Sequence, residues 1–141
     1  MSLLKLLETI QQRPGIFLGA PSVSGLQMFL GGYFFARHEQ GLAVTIEEEI
    51  FEGFQKWVEQ RFKVQASVSW AKIILLYSAN EQRGFELFFE LWEEFLGEEL
   101  WEKILEKELR EQVLVLRQEQ EQDIEDYSVA AMEGKVPAKL N

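Results

Sequence analysis

The sequence predicts an all-α fold in which a compact five-helix bundle-like domain is followed by a long C-terminal helix. Three observations predict this class. Apolar residues recur at steps of three and four through most of the 141 residues. Helix-start signals precede several of these stretches, and the clearest is Thr45 followed by Glu48. Towards the C-terminus, long charged side chains surround one narrow apolar seam.

The N-terminal segment predicts a helix from about Leu3 to Gln12 with Ser2 as its cap. One face of this helix carries Leu3, Leu6, Leu7 and Ile10. Pro14 ends the helix because it disfavours helical backbone at the preceding residue and has no N–H to donate. We expect a tight turn here, in which the next three side chains fill the core: Ile16, Phe17 and Leu18.

A second helix is predicted from Ser22 or Ser24 to about Gln40, where Gly41 suits a left-handed C-terminal position. Gly31 and Gly32 lie in its middle. Each glycine costs about 1 kcal/mol relative to alanine inside a helix. We therefore interpret the pair as a close helix–helix crossing where a side chain would not fit.

The third predicted helix begins at Thr45, which forms a capping box with Glu48. Its spacing indicates a buried stripe and an opposite, solvated face. The buried stripe is Ile46, Ile50, Phe54, Trp57, Val58 and Phe62. The solvated face is Glu48, Glu52, Gln55 and Glu59.

Residues 70–77 are apolar nearly all round, which predicts a central position in the domain. Periodicity alone leaves helix and strand open here, and Ala71, Lys72 and the double leucine favour a helix capped by Ser69. Ser78 and Glu81 have capping-box spacing and open a predicted helix over 79–96. Its aromatic stripe is Phe85, Phe88, Phe89, Trp92, Phe95 and Leu96, opposite Glu86, Glu90, Glu93 and Glu94.

We predict three parts: an aromatic-rich helical core at 1–97, a charged amphipathic helix at 98–127 and a frayed tail at 128–141. The helix at 98–127 has apolar residues at steps of four or three, which is typical of a coiled coil or bundle edge. This seam is Trp101, Leu105, Leu109, Val113 and Leu116. Spacing leaves open whether it docks on the core or on a second copy.

The chain is acidic, with 24 Asp and Glu against 14 Lys and Arg, for a net charge of −10. Phosphate would repel such a protein, so nucleic acid is not an expected partner. Gly25 to Ala36 is the longest nearly apolar stretch and is shorter than the roughly 20 residues of a membrane helix. Neither a targeting signal nor a membrane segment is recognisable, so we expect a cytoplasmic protein.

Composition also restricts the chemistry. The chain has no cysteine and a single histidine, His38, which excludes thiolate sites and sites with two imidazoles. Ser69 and Lys72 have the spacing of a serine acyltransferase motif, yet Ser2 and Lys5 share it, so we interpret Ser69 as a helix cap. We expect no catalytic residue, no cofactor and no metal.

Several motifs follow one another within residues 5–97: R-P-G-I-F-L-G, a Ser-led helix with L-G-G-Y, F-x-x-F-x-x-W-V, Ser-Trp and F-F-x-L-W-x-x-F. Their order resembles that of small bacterial helical proteins, some of which occur beside polymorphic toxins and are treated as immunity proteins. The motifs are aromatic packing positions, so the resemblance implies a shared fold. The role it implies is stoichiometric occlusion of a toxin.

Three functions follow as hypotheses. The first is a non-catalytic protein-binding module of the immunity type, which covers a basic partner with its acidic faces. The residues expected to bind that partner are Glu48, Glu52, Glu59, Glu90 and Glu94. The alternative is a structural homo-oligomer, for example a homodimer, whose copies pair through the seam. The third is an enzyme or ligand binder, which needs a deep pocket with a polar group inside, lined by Trp57, Trp70 or Trp92.

Overall fold

The computed structural model describes residues 1–65 and 67–134, and at Leu100, Trp101 and Ile104 it describes the backbone alone. These residues form seven α-helices and no strand, so the predicted all-α class with a long C-terminal helix is confirmed. The helices are α1 (Leu3–Gln12), α2 (Pro14–Leu18), α3 (Val23–Glu39), α4 (Ile46–Glu52), α5 (Phe54–Phe62), α6 (Trp70–Leu76) and α7 (Glu81–Met132). They belong to two compact units, Met1–Leu100 and a second that begins at Trp101.

Helix α1 has the predicted bounds and cap. The Ser2 side chain accepts a hydrogen bond from the backbone N–H of Lys5, and this satisfies one of the donors left free at the helix start. The four predicted residues Leu3, Leu6, Leu7 and Ile10 are all buried. The local sequence pattern was sufficient to predict α1, because one periodic apolar face and one cap define its bounds.

Helix α2 replaces the predicted tight turn. Pro14 occupies its first position, where a missing N–H has no cost, and Gly19 ends it at a φ of +77°. Phe17 and Leu18 pack against the core, but Ile16 is 71% exposed. The expectation that all three side chains fill the core is therefore wrong for Ile16.

Helix α3 is capped by Ser22 and followed by Gly41 at a φ of +65°, as the sequence predicts. The predicted crossing at Gly31 and Gly32 is wrong. A methyl group added at either glycine would meet nothing within 4 Å, and both residues are exposed.

The close approach occurs instead at Gly84 of α7. A Cβ atom built there would lie 2.6 Å from Cγ1 of Val23, a fully buried residue at the start of α3. Only a residue without a side chain allows the two helices to meet at this distance. Gly84 thus fixes how the N-terminal part of α7 packs against α3.

The predicted helix over 46–62 is two helices, α4 and α5, which separate at Gly53. The capping box at Thr45 is confirmed, with both reciprocal hydrogen bonds present. Each half has its own buried face, formed by Glu48 and Ile50 in α4 and by Phe54 and Val58 in α5. Two predictions are wrong here: Glu48, assigned to the solvated face, is buried, and Ile46, assigned to the buried stripe, is 60% exposed.

Residues Trp70–Leu76 form helix α6, which settles the helix-or-strand alternative. Ser69 caps it by accepting a hydrogen bond from the backbone N–H of Lys72, as we expected. Four residues of this short helix are buried: Trp70, Ala71, Ile73 and Ile74. Lys72 and Leu76 are exposed, Leu76 by 75%, so the central position predicted for residues 70–77 holds for one face of the helix and not for the whole stretch.

Phe54 occupies the middle of an aromatic core. Its ring lies between 5.4 and 6.0 Å, centroid to centroid, from six others: Phe51, Trp57, Trp70, Phe88, Trp92 and Phe95. Most of these pairs are edge-to-face or tilted, the arrangement that ring quadrupoles favour. The predicted aromatic stripe on α7 is confirmed, since Phe85, Phe88, Phe89, Trp92 and Phe95 are all buried.

Helix α7 differs from the prediction at three points. It begins at Glu81 with Asn80 as its cap, because the Asn80 side chain accepts a hydrogen bond from the backbone N–H of Arg83. The second capping box is therefore wrong, and the Ser78 hydroxyl donates to the carbonyl of Ile74 instead. Gly97 lies inside the helix, which continues to Met132 rather than to 127. Of the predicted tail, residues 135–141 lie outside the described part of the chain.

Candidate partner-binding surfaces

The structure does not bring the five predicted acidic residues onto one face. On α4 and α5, Glu48 is buried, Glu52 is exposed and Glu59 is half-buried. On α7, Glu90 and Glu94 are both exposed and take part in different contacts. The solvated face expected from a single helix is thus divided, and each carboxylate has its own environment.

Glu48 has a structural role. Its Oε1 forms an ion pair with Nε of Arg37, and its Oε2 accepts the backbone N–H of Thr45 at 3.0 Å. Arg37 also donates from Nη2 to the carbonyl of Ala43 at 3.0 Å. These contacts connect the end of α3 to the start of α4, and they commit both oxygens of Glu48 to groups of this chain.

A cleft lies beside this ion pair, and we call it the Trp70 cleft. Its volume is about 570 Å³. The floor consists of the rings of Phe34, Phe51 and Trp70, and the loop before α4 contributes exposed Leu42 and Val44. The other lining residues are Arg37, His38, Gly41, Glu48, Glu52 and Gln55.

The polar groups of the Trp70 cleft mostly bind other groups of this chain. Gln55 accepts the backbone N–H of Trp70 at 2.6 Å and donates to the carbonyl of Val68 and to Glu59, each at 2.9 Å. Within the described residues, Glu52 has no basic side chain at ion-pairing distance. Glu52 therefore provides the cleft with a carboxylate that is available to a partner.

A second concavity, of about 450 Å³, contains Glu90 together with Glu86 and Glu93. Its floor includes the buried rings of Phe85 and Phe89. Glu94 does not line this concavity, and its Oε1 forms an ion pair with Nε of Arg61 at 3.2 Å. That pair is exposed, so it contributes little to stability.

The predicted seam lies in the second unit of the chain. Leu105, Leu109, Val113 and Leu116 are all exposed, Leu109 by 60%. The side chain of Trp101, the first predicted seam residue, lies outside the described atoms. Four large aliphatic side chains at steps of four or three thus follow one another along an exposed part of α7.

The sequence did not indicate Arg37, Leu42 or Val44 as site residues. Leu42 and Val44 belong to a short apolar run between a helix-ending glycine and the Thr45 cap, too short for a strand. An apolar loop of this kind is a signal for an exposed contact surface, since a loop seldom enters the core. Nothing in the sequence around Arg37 indicates a site residue, because its partner Glu48 belongs to another helix.

Two kinds of site are not found in the described part of the chain. No group of three or more His, Cys, Asp or Glu residues is arranged to hold a metal ion. No described helix has the length and apolar character to cross a bilayer.

Searches against protein-family models, curated proteins and solved structures found no match. The local geometry above is therefore the basis for a functional proposal.

Proposed function

We propose that this chain is a non-catalytic, cytoplasmic protein-binding module of the immunity type, which occludes a basic partner through the Trp70 cleft. The observation that carries the proposal is the combination of an aromatic floor with the available carboxylate of Glu52. Such a site favours an apolar side chain that has a lysine or arginine beside it.

The state of its polar groups favours protein binding over catalysis. A catalytic site directs polar groups at its substrate. In the Trp70 cleft, Arg37 is paired with Glu48, and Gln55 has hydrogen-bond partners on both ends of its amide. This leaves Glu52 and the 88% exposed His38 as the polar lining side chains that a bound molecule could meet. The exposed loop side chains Leu42 and Val44 extend the apolar surface beyond the cleft, as a contact surface for a protein would require.

Charge supports a basic partner. The chain carries a net charge of −10, and residues 45–97 hold ten acidic residues against five basic ones. An acidic surface attracts a basic protein over about a Debye length and accelerates the encounter. The apolar floor then supplies the affinity that charge alone does not.

A library of random displayed peptides, selected on the full chain, tests the proposal. We expect recovered peptides to combine an aromatic or large aliphatic residue with an adjacent lysine or arginine. Their affinity should fall as salt rises. It should also fall by up to about fivefold in Glu52→Gln, since exposed charge pairs contribute at most about 1 kcal/mol.

Glu49→Gln is the matched control, because Glu49 is an exposed carboxylate on the same helix and does not line the cleft. Val44→Asp should weaken the same peptides more strongly than Glu52→Gln by placing a charge in the apolar rim. Peptides without basic residues, or equal binding to Glu52→Gln and Glu49→Gln, would contradict the proposal.

A second candidate function, homodimerisation through the seam, is favoured by the exposed aliphatic row on α7. Leu105→Glu with Leu109→Glu should convert the full chain to a monomer in light scattering. The matched control is Leu114→Glu with Val129→Glu, which adds equal charge at exposed apolar positions off the seam. A molar mass unchanged by the seam variant, or lowered equally by the control, would refute this candidate.

A further inference from the structure

We propose that the second unit pairs with a second copy of itself in antiparallel orientation, so that residues whose numbers sum to about 236 lie at the same level. The proposal rests on the homodimerisation described above and adds its orientation and register. Three features of the described residues carry it: the period of the seam, its reversal symmetry and the unequal charge of the two halves of α7.

The seam is longer than the sequence pattern first indicated. Because α7 is helical to Met132, the row continues beyond Leu116 on the same face. The complete row is Leu105, Leu109, Val113, Leu116, Gln120, Ile124, Tyr127 and Ala131. Its steps of four, four and three repeat, giving an 11-residue period of 3.67 residues per turn. This period stays close to the 3.6 of a straight helix, so one face keeps contact along about 39 Å.

The row reads almost the same in both directions. Reversal about residue 118 exchanges Leu105 with Ala131 and Leu109 with Tyr127. An antiparallel pair therefore places a seam residue opposite a seam residue at each level. Ile124 is 67% exposed, and Leu116 and Tyr127 are also exposed, so both halves of the row are available.

The charges along α7 are unevenly divided. Residues 102–117 contain four basic and four acidic residues, whereas residues 118–132 contain five acidic residues and no basic one. A parallel pair would set the two acidic halves side by side, and like charges repel. An antiparallel pair sets each acidic half against the half that contains all four basic residues.

The side chains next to the seam are compatible with this orientation but do not decide it. One flank carries Glu106, Arg110, Arg117 and Glu121, and the other carries Glu108, Glu119 and Asp123. An antiparallel pair brings identical flanks together, which places Arg117 near Glu121 of the second copy and Glu119 near Glu119 of the second copy. A parallel pair brings opposite flanks together, which places Arg110 near Glu108 and Arg117 near Glu119, but also Glu106 near Glu108 and Glu121 near Asp123. The unequal charge of the two halves of α7 is therefore what favours the antiparallel pair.

Disulfide trapping in the full chain distinguishes the orientations, since the chain has no cysteine of its own. The probes are Val113→Cys and Ile124→Cys, both conservative in size at exposed seam positions. In the antiparallel register these two positions lie at nearly the same level. Each lies about 15 Å or more along the axis from its own copy, and a disulfide needs Cα atoms within about 7 Å.

We expect an equal mixture of the two variants to cross-link in about half of its dimers, as random exchange of copies predicts. Each variant alone should remain uncross-linked under the same oxidation. Cross-linking of each variant alone would show a parallel pair and overturn the orientation while leaving dimerisation intact. A monomer mass for the unmodified chain, with no cross-link in any sample, would refute both the orientation and the dimer.

Discussion

Ser24 at the start of α3 binds the carboxylate of Glu81 at the start of α7. The backbone N–H of Ser24 donates to Oε2 at 3.0 Å, and its hydroxyl donates to Oε1 at 2.7 Å. The Ser22 hydroxyl also donates to Oε2 at 3.0 Å. A carboxylate from one helix thus binds a donor that another helix leaves free at its first turn, where the helix dipole favours negative charge.

This contact makes stability depend on pH. The backbone N–H of Ser24, and then its hydroxyl, lower the pKa of Glu81 below its ordinary value of 4.5. The unfolded chain therefore takes up the proton first as pH falls. The contribution of Glu81 is complete well above pH 4.5 and is lost as pH drops through the lower pKa of the folded state.

Glu81→Gln should lower the free energy of unfolding by about 1–2 kcal/mol at neutral pH, because it removes hydrogen bonds to a charged group. The difference from the unmodified chain should shrink as the pH falls through the acid range. Urea unfolding at several pH values, followed by tryptophan fluorescence, measures both effects. Glu90→Gln is the control on the same helix, and a pH-independent loss in Glu81→Gln would contradict the prediction.

Gly84→Ala and Gly31→Ala should have opposite effects. At Gly84 the new methyl group would lie against the stiff, buried side chain of Val23, and we expect a loss of about 1–3 kcal/mol. At Gly31 the space is open, and we expect a gain of about 0.5–1 kcal/mol from better helix propensity. Thermal and urea unfolding check both values. In a Val23→Ala background Gly84→Ala should lose most of its cost, because Cγ1 at 2.6 Å is removed and only Cβ at 3.2 Å remains, and persistence of the full cost would refute the steric explanation.

The ion pair of Arg37 and Glu48 should show strong coupling in a double-mutant cycle. Arg37→Met leaves a mostly buried carboxylate without its partner, and we expect a loss of about 2–3 kcal/mol. Glu48→Gln keeps an oxygen for the capping box and removes the charge. The double variant should therefore lose clearly less than the sum of the two single losses in urea unfolding. Additive losses would show that the two side chains do not interact.

Phe54→Ala should remove most of the stability of the first unit. Truncating a fully buried phenylalanine costs about 3–5 kcal/mol, and domains of this size unfold at about 5–15 kcal/mol. Phe54→Leu fills part of the space and should cost less. Phe35→Ala is the control, because Phe35 is exposed and should change stability by no more than about 0.5 kcal/mol. Comparable losses at Phe35 and Phe54 would contradict the assignment of the core.

The sequence was a sufficient guide wherever the signal was local. The caps at Ser2, Thr45 and Ser69 depend on groups within three residues of each cap, and all three are confirmed. The bounds of α1 follow from one periodic face. The predicted break between the helices over 79–96 and 98–127 was wrong because a helix tolerates an isolated glycine, here Gly97, at a cost of about 1 kcal/mol.

Long-range relationships could not be predicted. Glu48 and Glu52 are neighbours on α4, four residues apart, yet only Glu48 is buried, because Arg37 of another helix pairs with it. Whether a helical glycine marks a crossing depends on what lies opposite, so Gly31 and Gly84 are alike in sequence and different in the structure. Of the three tryptophans named as possible pocket residues, only Trp70 lines the cleft, and its other walls could not be predicted because they come from separate helices and a loop.

The close arrangement of rings around Phe54 has an optical consequence. Aromatic side chains held in fixed, asymmetric surroundings give near-ultraviolet circular dichroism, whereas the helical backbone, of which α7 alone holds 52 residues, gives the far-ultraviolet signal. The two spectral regions therefore report different levels of structure in this protein. If acid abolishes the near-ultraviolet bands while the helical signal persists, the chain has entered a state with formed helices and loosened side-chain packing.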